Sequence, residues 1–128
     1  MSDKKPIVTL VGHCGPDSSF LRMAISTAAP GTLVRMADTD ADLESAATAS
    51  DLLLFNRVLE VGFRDSDGVK ALRETKAKHP DLPVIMVSNF AETQEKAEEA
   101  GAHPGFGKGE IGSDKVKHRL RAALGLND

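Results

Sequence analysis

The chain has 128 residues, 41% of them apolar and 27% charged, with a formal net charge of −3. Those values fit one ordinary globular domain spanning 1–128, able to bury about two thirds of the surface its unfolded form would expose. The acidic balance, with five Phe and no Trp or Tyr, disfavours nucleic-acid binding, and a single Cys14 excludes an internal disulfide or a multi-cysteine metal framework.

The start, MSDKKP, is too polar for a secretory h-region, and no 18-residue apolar run exists to span a bilayer. A cytoplasmic location without membrane contact is expected. PIVTLV (6–11) is short, apolar and β-branched, bounded by Pro6 and Gly12, and predicts a buried strand. FLRMAISTA (20–28) carries Phe20, Met23, Ala24 and Ala28 at helical spacing, and APG (29–31) stops it. TLVRMA (32–37) predicts a second strand, and 38–49 a helix with Thr39 and Asp42 spaced as a capping box.

DLLLF (51–55) is the most uniformly apolar run, so it should be a central strand covered on both faces. A third helix is predicted over 67–79, ended by His79-Pro80 because a residue before proline avoids helical angles. LPVIMV (82–87) predicts a fourth strand, 91–102 a fourth helix, and a short fifth strand falls near Phe106. The last helix starts at Ser113, with Val116, Leu120, Ala123 and Leu124 on one face and Gly125 at its end. Five βα units predict a doubly wound five-stranded parallel sheet of order 2-1-3-4-5, a flavodoxin-like fold with its ligand crevice beyond the carboxyl ends of the strands.

Nearly the whole chain then resembles the receiver domains of response regulators, of the chemotaxis-receiver type. PVIMVSNF (83–90) and AEEAGAHPGFGKGEI (97–111) carry the resemblance: Ser88 ends the fourth strand, Lys108 follows the fifth, and Ala100-Gly101-Ala102 precedes it. The resemblance implies two-component or phosphorelay signalling, in which a strand-end Asp accepts a phosphoryl group beside an acidic pair holding Mg²⁺. In this sequence the acceptor position is Asn56, which cannot become an acyl phosphate, and the acidic pair is replaced by Gly12 and His13. Asp17 is displaced into the helix start, and Asp51 lies at the opposite end of the third strand. Glu60 and Asp65 stand in the loop after Asn56 and could approach the pocket. Gly105 occupies the place of the family's switch aromatic, with Phe106 one residue off, and Gly109 replaces a proline.

The remaining candidates come from the residues themselves. Gly12, Gly15 and Ser18 in VGHCGPDSS could form an anion-binding loop, though without a Walker or dinucleotide motif; the alternative is a tight turn in which Asp17 or Ser18 caps the first helix. His13 and Cys14 offer two soft ligands at most, and His79, His103 and His118 lie elsewhere, so no metal site and no resident cofactor are expected. Glu92, Glu95, Glu98 and Glu99 form an acidic, solvated face on the fourth helix.

The expectation is therefore a degenerate pseudo-receiver, not an enzyme, with a vestigial pocket of Gly12, His13, Ser88 and Lys108. The resemblance implies that it would act on another signalling protein through the face of helix 4, strand 5 and helix 5. The alternatives are a small-ligand or anion sensor using the crevice at strands 1, 3 and 4, and a redox role for Cys14. The sequence leaves partner and oligomeric state open.

Overall fold

The apolar run LLLF forms a strand over Leu52–Asn56 whose five residues are all buried. The computed structural model describes residues 5–126, so residues 1–4 of the polar start lie outside the described residues. In chain order the elements are β1 (Ile7–Val11), α1 (Gly15–Ala28), β2 (Leu33–Ala37), α2 (Asp40–Ala49), β3 (Leu52–Asn56), α3 (Gly68–Lys78), β4 (Val84–Val87), α4 (Ala91–Glu99), β5 (His103–Phe106) and α5 (Asp114–Ala123). A 3₁₀ turn, Lys108–Glu110, joins β5 to α5. The strands form one parallel sheet of order β2-β1-β3-β4-β5.

Alternation along the strands builds two cores. Val8, Leu10, Leu52, Leu54, Ile85 and Val87 face α1 and α5, where Leu21, Ile25 and Leu120 cover them. Val11, Leu53, Phe55, Val84 and Met86 face the other way, against Ala47 of α2, Leu72 of α3 and Ala97 of α4. Because β3 lies between β1 and β4, its strand end opens onto the crevice where connections diverge to opposite sides.

Local chemistry sets the helix ends. Thr39 caps α2, its Oγ1 accepting from the Asp42 N–H at 3.1 Å, while the Asp42 carboxylate reaches past the cap to the Asp38 N–H at 3.2 Å. Asp67 caps α3 by accepting from the Lys70 N–H, and Ser113 caps α5 by accepting from the Val116 N–H. The helix α4 ends at Glu99, earlier than its sequence pattern suggests, because Gly101 at φ +107° turns the chain into β5.

The first helix departs most from its pattern. It begins at Gly15, with Pro16 in its first turn, five residues before the periodic run. Cys14 takes the N-cap position and its side chain caps no backbone N–H, so neither Asp17 nor Ser18 is the N-cap. Its buried stripe is Ser18, Leu21, Ile25 and Ala28, which leaves Phe20 and Met23 58% and 68% exposed.

Candidate functional site

The site forms where the β1–α1 and β3–α3 loops meet. Gly12 adopts φ +72°, and a Cβ there would stand 2.6 Å from Leu59 Cδ2, so glycine is needed for both the turn and the approach. The Gly12 N–H continues the sheet to the Ala37 carbonyl at 3.0 Å. Its carbonyl accepts from the Glu60 N–H at 3.3 Å and from Asn56 Nδ2 at 3.0 Å. Asn56 Nδ2 also donates to the Val58 carbonyl at 2.7 Å. Both partners are carbonyls, which fixes the amide nitrogen toward them. Asn56 thus staples the two loops, and Leu59 lies buried over Gly12.

His13 is 3% exposed, and its Nε2 lies 2.9 Å from the Leu54 carbonyl. A carbonyl only accepts, so Nε2 carries the proton and Nδ1 is left as a buried acceptor without a partner. Burial lowers the imidazole pKa to about 4; the bond to Leu54 opposes that shift, Lys108 reinforces it, and Asp17 opposes it weakly. The ring is therefore neutral at pH 7.

Lys108 Nζ pairs with Asp17 Oδ2 at 2.9 Å. The hydrogen bond from Lys108 holds the Asp17 carboxyl below its usual value, burial opposes this, and the Cys14 thiol donates to the same carboxylate. Ser88 Oγ is turned to local work, accepting from the Phe90 N–H at 3.1 Å at the start of α4. Asn89 Oδ1 accepts from the Gly109 N–H at 3.1 Å and ties down the loop that carries Lys108. Between these groups lies a crevice of about 270 Å³, bordered by Asn56, Glu60, Ser88, Asn89, Phe90 and Lys108. Arg57 stacks over the Phe90 ring at its rim, 4.7 Å from the centroid.

Magnesium requires hard oxygen ligands, usually carboxylates with waters. At the strand ends stand a glycine, a neutral imidazole and an amide whose nitrogen faces the loop carbonyls. The nearby carboxylate of Asp17 is engaged by an ammonium. These groups do not fit the ion, and no step through it follows. Among the described residues no three His, Cys, Asp or Glu gather in a metal-binding arrangement.

The strand beside the crevice is equally fixed. Gln94 Nε2 donates to the carbonyls of Met86, Ser88 and Phe106, and Arg119 donates to that of Gly105. A Cβ at Gly105 would collide with the Met86 carbonyl and the Gln94 side chain, so an aromatic has no room there. Phe106 is 1% exposed and packs in the core beneath α1 and α5.

Of the residues singled out from the sequence, Asn56, Ser88 and Lys108 border one crevice, whereas Gly12 and His13 are buried and do not line it, Gly12 being bonded to Asn56 through its carbonyl. Glu60 borders it too, whereas Asp65 turns away to Lys70 at 3.0 Å. Asp51 accepts from the Ile7 N–H at the other end of the sheet. Gly12, Gly15 and Ser18 do not converge: the Gly12 N–H is used in the sheet, Gly15 opens α1, and the Ser18 hydroxyl is buried without a partner. Sequence reasoning missed Asp17 as the partner of Lys108, and Leu59 and Gln94 as the residues that fix the loops and β5. Asp17 carried a signal, since a first-turn acid of α1 necessarily stands at the carboxyl end of the sheet.

The sheet order and the helix layers are those of the receiver fold of two-component response regulators. A protein from Chloroflexus aurantiacus described as a response regulator superposes with a TM-score of 0.77 at 20% identity, over 95% of this chain and 99% of that one. The receiver domain of NtrX from Brucella abortus matches at 0.70 and 26% identity, over 94% and 99%. The receiver domain of the Francisella response regulator 1452 matches at 0.74 and 15% identity, over 94% and 98%. No family model matches the sequence, and no curated protein matches it. No helix among the described residues is long and apolar enough to cross a membrane.

Proposed function

We propose that this chain is a pseudo-receiver of two-component-type signalling, not phosphorylated by the aspartyl route and not an enzyme, that works by binding another signalling protein. The observation that carries this reading is the Asn56 amide, which occupies the acceptor position and is bonded to the carbonyls of both Gly12 and Val58. Phosphoryl transfer needs a nucleophile and charges set to meet the transferred group. Here the position is a neutral staple, and the lysine charge is met by Asp17.

The surface proposed for the partner is the α4–β5–α5 face. Its support is the charge it presents: α4 exposes Glu92, Glu95, Glu98 and Glu99, with Lys96 paired to Glu92, and Arg119 of α5 reaches the Gly105 carbonyl of β5. Such patterning favours orientation and partner choice. The test is incubation with acetyl phosphate and Mg²⁺ followed by intact-mass and peptide spectrometry. No acid-labile adduct is expected, and an aspartyl phosphate would overturn the reading.

A second reading, an anion or small-ligand sensor, is supported by the crevice of about 270 Å³ that Lys108, Ser88 and Asn56 border. Phosphate, sulfate or nucleotides at millimolar concentration should then raise the melting temperature by mass action. No shift with any of them would remove it.

A further inference from the structure

The helix α1 carries two apolar stripes. One, through Leu21 and Ile25, is in the core; the other, Phe20, Met23 and Ala24, continues through the polar Thr27 at i, i+3, i+4, i+7 spacing, with Ala24 packed partly against the core and Phe20 and Met23 exposed. Beside this second stripe, between α1 and segment 108–113, is a groove of about 360 Å³. That volume falls within the range of small-molecule sites. Phe20, Met23, Ala24 and Ile111 supply apolar walls, and its charged lining residues are Lys108 and Lys117, with no acid among them. Lys108 is neutralised by Asp17, while Lys117 has no ion-pair partner among the described residues.

We infer that this groove binds a small amphipathic anion, an aromatic or branched aliphatic body bearing a carboxylate or phosphate. The body would cover Phe20 and Met23, which are 58% and 68% exposed. The anionic group would face Lys117, the lysine whose charge the fold leaves unmatched. This inference goes beyond the pseudo-receiver reading and does not depend on the crevice at Asn56, from which the groove is separated by Lys108.

The test is a ¹H–¹⁵N titration with 1-naphthoate and, in parallel, with the neutral 1-naphthalenemethanol. Saturable shifts are expected at amides within 20–27 and 109–113, with naphthoate binding about two- to fivefold more tightly, the range of one exposed ion pair. Lys117→Met should remove that difference while keeping both ligands bound, and Met23→Glu should weaken naphthoate further. Both substituted side chains are exposed, and a thermal melt verifies that each variant is folded. Non-saturable shifts, shifts centred on 88–90, or equal affinity for acid and alcohol would overturn the inference. The acetyl phosphate experiment reads a separate site, so either proposal can fail alone.

Discussion

His13 makes acid stability the sharpest test of the site. Its folded pKa is about 4 because burial of the ring, reinforced by Lys108, outweighs the opposing bond to Leu54, whereas an unfolded histidine titrates near 6.5. Since the folded value is depressed, protonation favours the unfolded chain: the stabilisation is complete above pH 6.5 and is lost as pH falls toward 4. Linkage gives a loss of about 2 kcal/mol between pH 7 and pH 5, and about 3 kcal/mol by pH 4, from this one ring. Carboxylates add their own acid dependence, so the measurement is a comparison: urea unfolding of wild type and His13→Gln at pH 8, 7, 6, 5 and 4. A Gln amide can still donate to the Leu54 carbonyl but does not titrate. The variant should lose about 2 kcal/mol less than wild type between pH 7 and pH 5. Parallel stability curves would refute the burial of a neutral ring at His13.

Three further outcomes follow from the same contacts. Asn56→Asp would turn two donor contacts into a buried carboxylate facing carbonyls, and should cost about 2–4 kcal/mol in urea unfolding without yielding a phosphorylatable protein. Gly12→Ala forces a side chain into φ +72° against Leu59 and should cost about 1–3 kcal/mol; adding Leu59→Ala should recover part of that cost in a double-mutant cycle. Asp17→Asn frees the Lys108 ammonium, and if the crevice takes anions, the phosphate-induced melting shift should grow, with affinity up to about fivefold tighter. An unchanged shift would mean that Lys108 does not serve the crevice.

The parallel order and the central place of β3 were legible because hydrophobic period and length speak directly about burial. The stop at His79 and the Thr39 cap of α2 follow from local backbone chemistry and were equally readable. The start of α1 was not, because Gly15 and Pro16 look like a turn until tertiary packing draws Ser18 and Leu21 inward. At the site, the resemblance to receiver domains placed 56, 88 and 108 at a common crevice, but not what each side chain touches. Asn56 could have faced Lys108; the loop carbonyls of Gly12 and Val58 took its amide instead. Such choices depend on where a loop folds back, and the apolar Leu59 that holds this loop down gives no chemical cue in the sequence.

The staple at Asn56 also bears on what such a protein can report. A switch carries information in the ratio of two shapes, and that ratio moves only when something binds one shape better than the other. Here two neutral hydrogen bonds and a buried leucine join the loops that would have to part. Under the proposed reading these contacts bias the module toward one shape, so that its message is its own concentration and a partner would read it by titration.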